Sequence, residues 1–499
     1  MVTGSQSQSV AARSFSDAEE TLRAQPFPEP RVAPPLSLSI LADAPVVPPA
    51  PLAAPAACAT KWPVAAWTVT GALRAFERGE LRSRDLIEAA VAAEAGFSNC
   101  GAVVSWDLDA ARAEADKADA DRAAGRPGDA LRGIPVTVKD VIDAAGLPTG
   151  AGSLAYSDTP TDDAAGVRRL RDAAAILFAK VATHEFALGV TTPQCRNPYD
   201  PTRPAGGSSG GSAIAVATGI GLASLGTDTR ASLRVPSALC GVVAFKPTFG
   251  LVPTRGIVPL SWTVDHVGPI TRTVRDAGFL LNILSDGPFL EVRSEAAVTG
   301  MRVGFDEEVL ADADREVAAS CEKALRMLEK LGCEGKPVPV PGLDELELAN
   351  DLGLLVSRSE AAAYHRSRGT NTSLCIPEVR DQLTVALSIA ADYLDAQRQR
   401  AAQAKRVLAV FGDCDVIAGP TTPMVAPAAE DYERHLLRLS RYTILWSMIG
   451  APALSIPCGP PGGMPVGLQI VAPPYREQLL FDLGTALDHV LPPTEIRGG

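Results

Sequence analysis

Gly206-Gly207-Ser208-Ser209-Gly210-Gly211-Ser212 opens the stretch on which the reading of this chain turns. By composition alone the run could be a flexible linker. Its surroundings argue otherwise. Ala213 to Thr218 is compatible with a helix and Leu222 to Leu225 with an apolar strand, so the glycines lie inside a folded unit rather than between two. A Gly/Ser loop there lets the backbone approach a reacting group closely. It is poorly suited to phosphate, because no Lys-Ser or Lys-Thr follows the glycines and the GxGxxG spacing is missing.

Working outward, Ile134 to Val138 reads as a strand ending in Lys139-Asp140, and Ile176 to Ala182 as another. Both are continuously apolar, as in a sheet buried on both faces. After the Leu222 to Leu225 strand comes the polar run Gly226-Thr227-Asp228-Thr229-Arg230-Ala231-Ser232-Leu233-Arg234. Open α/β sheets place their ligands at such a strand end. Thr70 and Ser83 are expected to cap two short helices, the first carrying Leu73 and Phe76, the second Leu86, Ile87 and Ala90. Residues 316 to 331 put Val317, Cys321, Ala324, Leu325, Leu328 and Leu331 on one helical face. A long helix is expected from Pro377 to about Phe411, then a strand Val416 to Ala418, a helix around 434 to 449 and a strand Val466 to Val471. Strands and helices alternate throughout, so the fold class is α/β. Eleven prolines between Pro26 and Pro63 mark residues 1 to 60 as an extended or disordered tail, and residues 61 to 499 are expected to form one large catalytic domain.

The 499 residues are 46% hydrophobic and 21% charged, ordinary globular proportions with room for a large core. Asp and Glu number 58 against 46 Lys and Arg, a net charge of −12 that opposes an extended nucleic-acid interface. Nine scattered cysteines form no CxxC pair, and five histidines form no HExxH, so neither a metal nor another cofactor is expected. The most apolar long run, Ala213 to Leu225, is too rich in Gly, Ala, Ser and Thr to cross a bilayer. With no basic, apolar leader pattern, the chain reads as cytoplasmic, with reduced thiols.

A serine nucleophile needs a base, and no GxSxG elbow is present. Lys139 is a candidate, because a poorly solvated lysine can be neutral near physiological pH. Lys139, the Gly206–Ser212 loop and the Ser232 segment together resemble the amidase signature family. Further stretches agree in order: Gly133-Ile134-Pro135-Val136-Thr137-Val138-Lys139-Asp140, Thr183-His184-Glu185-Phe186-Ala187, Arg196-Asn197-Pro198, Lys246-Pro247-Thr248, Asp265-His266-Val267-Gly268-Pro269, Pro420-Thr421-Thr422-Pro423 and Gly463-Met464-Pro465-Val466-Gly467-Leu468-Gln469.

The resemblance covers about 70 to 497 and implies a mixed, twisted central β-sheet covered by α-helices. It further implies hydrolysis of a carbon–nitrogen bond in an amide, aryl amide or carbamate (urethane), without cofactor. It makes Ser232 the nucleophile that becomes the acyl-enzyme, Ser208, after a cis peptide bond, the proton bridge, and Lys139 the general base. The lysine must then lose about 2 to 3 pKa units, so Asp140 has to point away from it. Backbone amides of Thr229, Arg230, Ala231 and Ser232 would hold the oxyanion. Gly207 and Arg230 are the expected substrate-binding positions. Where relatives carry two glycines before the nucleophile, this chain has Arg230-Ala231, and Arg230 is expected to project over the site. Asp228, Thr229 and Arg234 are read as scaffolding. His184 and His266 are read as structural, Cys195 and Cys240 as packed thiols. Trp262, Tyr364, Trp446 and the segment 340 to 405 are candidates for a substrate entrance. Partners are a small-molecule amide or carbamate, with a homodimer left open. The alternatives are an inactive scaffold of the same fold and a glutamine-amidotransferase A-type subunit.

Overall fold

The apolar runs around residues 136, 178 and 225 become three adjacent strands of one large sheet. The computed structural model describes residues 67–491 apart from 127, 286–288, 294, 340, 386–389 and 461. The proline-rich stretch 1 to 60 lies outside the described residues.

In chain order the strands are β1 (Val103–Trp106), β2 (Pro135–Lys139), β3 (Ile176–Val181), β4 (Ala223–Asp228), β5 (Val243–Lys246), β6 (His266–Thr271), β7 (Arg302–Phe305), β8 (Glu334–Pro337), β9 (Val416–Pro420), β10 (Ala453–Pro457) and β11 (Gly467–Val471). Across the sheet their order is β1-β3-β2-β4-β6-β5-β10-β11-β9-β7-β8. β3, β2 and β4 run parallel, as do β9, β7 and β8, while the intervening pairs are antiparallel. This is the mixed α/β sheet expected from the sequence.

Every residue of β2, β3 and β4 is buried. On β3, Leu177 joins one apolar cluster while Ile176 and Phe178 join another, because successive side chains face opposite sides. Helix Gly210–Thr218 packs tightly enough that a Cβ on Gly211 would fall 2.4 Å from the Ala182 nitrogen. That approach explains the glycine. At the far edge, β8 is exposed and carries Glu334, Lys336 and Pro337, residues that discourage further strand pairing.

Local boundaries differ from expectation where distant groups intervene. Thr68, not Thr70, caps the first helix, Val69–Glu77, and its Oγ1 accepts from Gly71 N at 2.9 Å. The carboxylate of Asp276 takes the Val69 and Thr70 amides at 2.8 and 2.9 Å. Ser83 is the first residue of helix Ser83–Gly96 rather than its cap, and Asp119 accepts its amide. Arg82 and Asp85 close that end reciprocally. Of the expected long helix, the described residues are helical over Pro377–Val385 and Ala390–Leu408. The helix expected around 434 to 449 is two, Tyr432–Leu439 and Ile444–Met448, separated by a turn in which Thr443 donates from its amide and hydroxyl to the Ser440 carbonyl. Local hydroxyl bonding of this kind competes with helix continuation.

Candidate active site

Because β2 and β4 are parallel neighbours, their C-terminal ends open on the same side of the sheet. Lys139 ends β2, and Thr227 and Asp228 end β4. The Lys139 ammonium is fully buried and donates to Ser208 Oγ and Thr227 Oγ1, both at 2.8 Å. Burial pushes its pKa down to about 7, against the opposing pull of Asp228 and Asp265. This is the direction the sequence reading required.

Asp140 points elsewhere. Its carboxylate accepts from the amides of Gly150 and Gly152 at 3.1 and 3.2 Å and lies 3.6 Å from the Lys180 ammonium. Alternation at the strand end thus keeps a full negative charge off Lys139.

Ser208 follows a cis peptide bond from Gly207. Its carbonyl accepts from the His184 amide and Thr192 Oγ1, each at 3.3 Å, which anchors the loop against two neighbouring segments. Gly207 backs onto the second of these: a Cβ there would fall 1.9 Å from the Thr191 carbonyl oxygen, so the position serves close packing of the loop. The next residue, Ser209, donates its amide to the Ser232 carbonyl at 3.2 Å, joining the Ser208 loop to the Ser232 turn. Ser232 lines a cavity of about 190 Å³. Lys139 and Ser208 are therefore hydrogen-bonded, and Ser232 is tied to the same loop through backbone. The Ser232 hydroxyl itself makes no hydrogen bond to Ser208 among the described residues.

The turn before Ser232 is held by two carboxylates. Asp228 accepts from the Leu233 amide at 3.1 Å and receives a two-pronged ion pair from Arg234 at 3.0 Å. Arg234 also donates to the Thr443 carbonyl, Gln469 and Ser447, so a fully buried guanidinium is satisfied on all sides. Against the opposing effect of burial, Arg234 and its neighbours hold Asp228 well below the usual carboxylate range, so it is an anion paired chiefly with Arg234. Asp265 accepts from Thr229 Oγ1 at 2.5 Å and from the Leu260 and Ser261 amides at 3.0 Å. Burial raises its pKa to about 7. The scaffolding reading of Asp228, Thr229 and Arg234 thus agrees with these contacts, and Asp265 is a partner that spacing alone did not reveal.

Among the described residues, no atom accepts the amides of Arg230, Ala231 and Ser232. Neither Arg230 nor Ala231 has a positive φ, so the turn accommodates side chains without left-handed backbone. Arg230 borders the same cavity as Ser232 and is 7% exposed. Its Nη2 donates to Asn350 Oδ1, and its enclosed Nε has no partner among the described residues. Arg358 and Glu378, from the segment expected to form an entrance, line the cavity with it. The three aromatic candidates do not: Trp446 is buried in the main apolar cluster, Tyr364 packs edge-on against His365, and Trp262 lies outside the lining.

His184 Nδ1 lies 3.1 Å from the Glu185 carbonyl, and His266 Nδ1 lies 3.1 Å from that of Asp228. Cys195 and Cys240 are buried thiols donating to the Gly101 and Ala205 carbonyls. Among the described residues no three His, Cys, Asp or Glu side chains gather as a metal-holding group, and no helix is long and apolar enough to cross a membrane.

Residues 85–481 match the Amidase family. The chain is 34% identical to the glutamyl-tRNA(Gln) amidotransferase A subunit of Roseiflexus sp. (strain RS-1), over 85% of this chain and 96% of that protein. It is 38% identical to an amidase of Pseudomonas putida, over 70% and 80% of the two chains. A crystal structure of an amidase superposes with a TM-score of 0.78 at 35% identity, covering 85% of this chain and all of the other.

Proposed function

Since the chain belongs to the amidase signature family, whose enzymes act on carbon–nitrogen bonds, we propose that it hydrolyses a small amide or carbamate through an acyl-enzyme on Ser232. The observation that carries this reading is the buried Lys139 amine, 2.8 Å from Ser208 Oγ and with a pKa of about 7. An amine in that state accepts a proton at neutral pH, which an exposed lysine does not.

In this mechanism Ser232 Oγ bonds to the acyl carbon while its proton passes to Ser208 and the Ser208 proton to Lys139. The second link closes when the Ser232 hydroxyl turns toward Ser208 on substrate binding. The amides of Arg230, Ala231 and Ser232 take the oxyanion, each donor contributing about 3 kcal/mol. The carbon–nitrogen bond then breaks, the nitrogen leaving with the proton returned through Ser208. Water adds to the ester, gives its proton to the same relay, and the acid departs as Ser232 regains its hydrogen. Every proton moved is returned within one turnover, so no cofactor is required.

A serine-directed fluorophosphonate should label the chain on Ser232. A panel of amides, anilides, carbamates and esters should be turned over by the native chain and not by Lys139→Ala, Ser208→Ala or Ser232→Ala. Failure of the native chain to label or to turn over any member sinks the proposal. The likeness to one component of an amidotransferase supports a second reading, in which this chain works within an assembly. That reading predicts no product from small amides with the purified chain alone.

A further inference from the structure

The cavity in front of Ser232 carries charge that amide hydrolysis does not itself demand. Arg230 and Arg358 both border its 190 Å³, with Leu188, Val190, Leu260 and Leu436 supplying apolar wall. Among the described residues neither guanidinium has a carboxylate within ion-pair distance of 4 Å. The one acid lining the cavity, Glu378, is 46% exposed at the rim and lies 3.8 Å from His184 Nε2.

Resting on the hydrolytic reading above, we propose that Arg230, seconded by Arg358, makes this a site for small amides that carry a carboxylate. A guanidinium buried without a counter-charge costs free energy until an anion arrives, and its planar fork matches a carboxylate in two-pronged geometry. Asn350 holds one edge of Arg230 through Nη2, which fixes the plane of the fork. Ligand cavities usually exceed about 300 Å³, so one of this size admits only a few heavy atoms beyond the reacting amide. Burial and the nearby Arg358 charge both push the Arg230 pKa down, and the cavity's acid, Glu378, acts on Arg358 rather than on Arg230.

The carboxylate could sit on the acyl side or on the amine side, and two probes separate these. Succinamate carries it on the acyl chain and N-acetylglycine on the amine. Their uncharged counterparts of the same shape are 4-methylpentanamide and N-isobutylacetamide. Calorimetric titration of Ser232→Ala protein measures binding without turnover. One of the two anionic probes should bind at least about 30-fold more tightly than its neutral counterpart, the range of a charge-assisted pair. Adding Arg230→Gln should reduce that ratio to below about 3, and Arg358→Gln should lower it by several fold. Arg230→Lys, which keeps charge but not the fork, should retain only part of it.

Equal affinity of anionic and neutral probes for Ser232→Ala protein overturns the proposal. So does a preference that survives both Arg230→Gln and Arg358→Gln. Selective binding by a chain that hydrolyses nothing would sink the hydrolytic reading and leave this one standing. Turnover without selectivity would do the reverse.

Discussion

Replacing Lys139 by methionine keeps the length of the side chain and removes its charge, and the structure gives the stability change a definite pH dependence. Lys139 titrates at about 7 in the folded protein and near the ordinary lysine value of 10.5 when unfolded. Between those values the unfolded chain binds a proton that the folded chain does not, so wild-type stability falls as pH falls from above 10.5 to 7 and changes little below that. The cost of burying this lysine is on the order of 4 kcal/mol at pH 7 and about 2 kcal/mol at pH 9. Methionine abolishes this cost at every pH. It also strands the Ser208 and Thr227 hydroxyls, a loss of about 1 kcal/mol each that does not vary over this range. Lys139→Met should therefore be inactive yet more stable than wild type at pH 7, and that advantage should shrink by about 2 kcal/mol at pH 9. Urea denaturation of both proteins at the two pH values measures it. A difference between the proteins that is the same at pH 7 and pH 9 would refute a low lysine pKa and remove the base from the mechanism.

Other outcomes follow from the same contacts. For an uncharged substrate, kcat/KM should rise with pH at unit slope and level off above an apparent pKa of about 7, because the neutral Lys139 amine is the active form; a flat profile between about pH 6 and 8 contradicts the assignment. Gly207→Ala drives a methyl into the Thr191 carbonyl and displaces Ser208, so turnover should fall on the order of 100-fold with the melting temperature as a check on folding. Arg234→Met leaves Asp228 buried and unpaired and should cost about 3 to 5 kcal/mol in denaturant unfolding. Arg234→Lys should recover little of that, since one ammonium cannot replace a guanidinium donating to Asp228, Thr443, Gln469 and Ser447.

The residues legible from sequence were those whose role is local or carried by an ordered set of motifs. Apolar runs ending in Lys139 and Asp228 announced buried strands, and the Gly/Ser loop announced close backbone approach. What escaped depends on partners far along the chain. Asp276 takes the first helix's leading amides from 207 positions away, where Thr70 had been the expected cap, and Asp265 reaches Thr229 from 36 positions on. Trp446, read as a possible entrance residue, is core, because an apolar aromatic side chain looks the same in either setting until its neighbours are known. The opposite holds for Arg230: its departure from the family pattern was visible in the sequence, but its company with Asn350 and Arg358 was not.

The strand order also governs how the molecule comes into being. β5, whose last residue is Lys246, finds one of its two neighbours in β10, which begins only at Ala453. During synthesis the half-sheet that bears Lys139, Ser208 and Ser232 therefore waits with an open flank until almost the whole polypeptide has emerged. Such distant pairing slows folding and leaves an adhesive edge in the interval. A nascent chain stalled before Ala453 would carry every reactive group and still be a candidate for aggregation rather than catalysis.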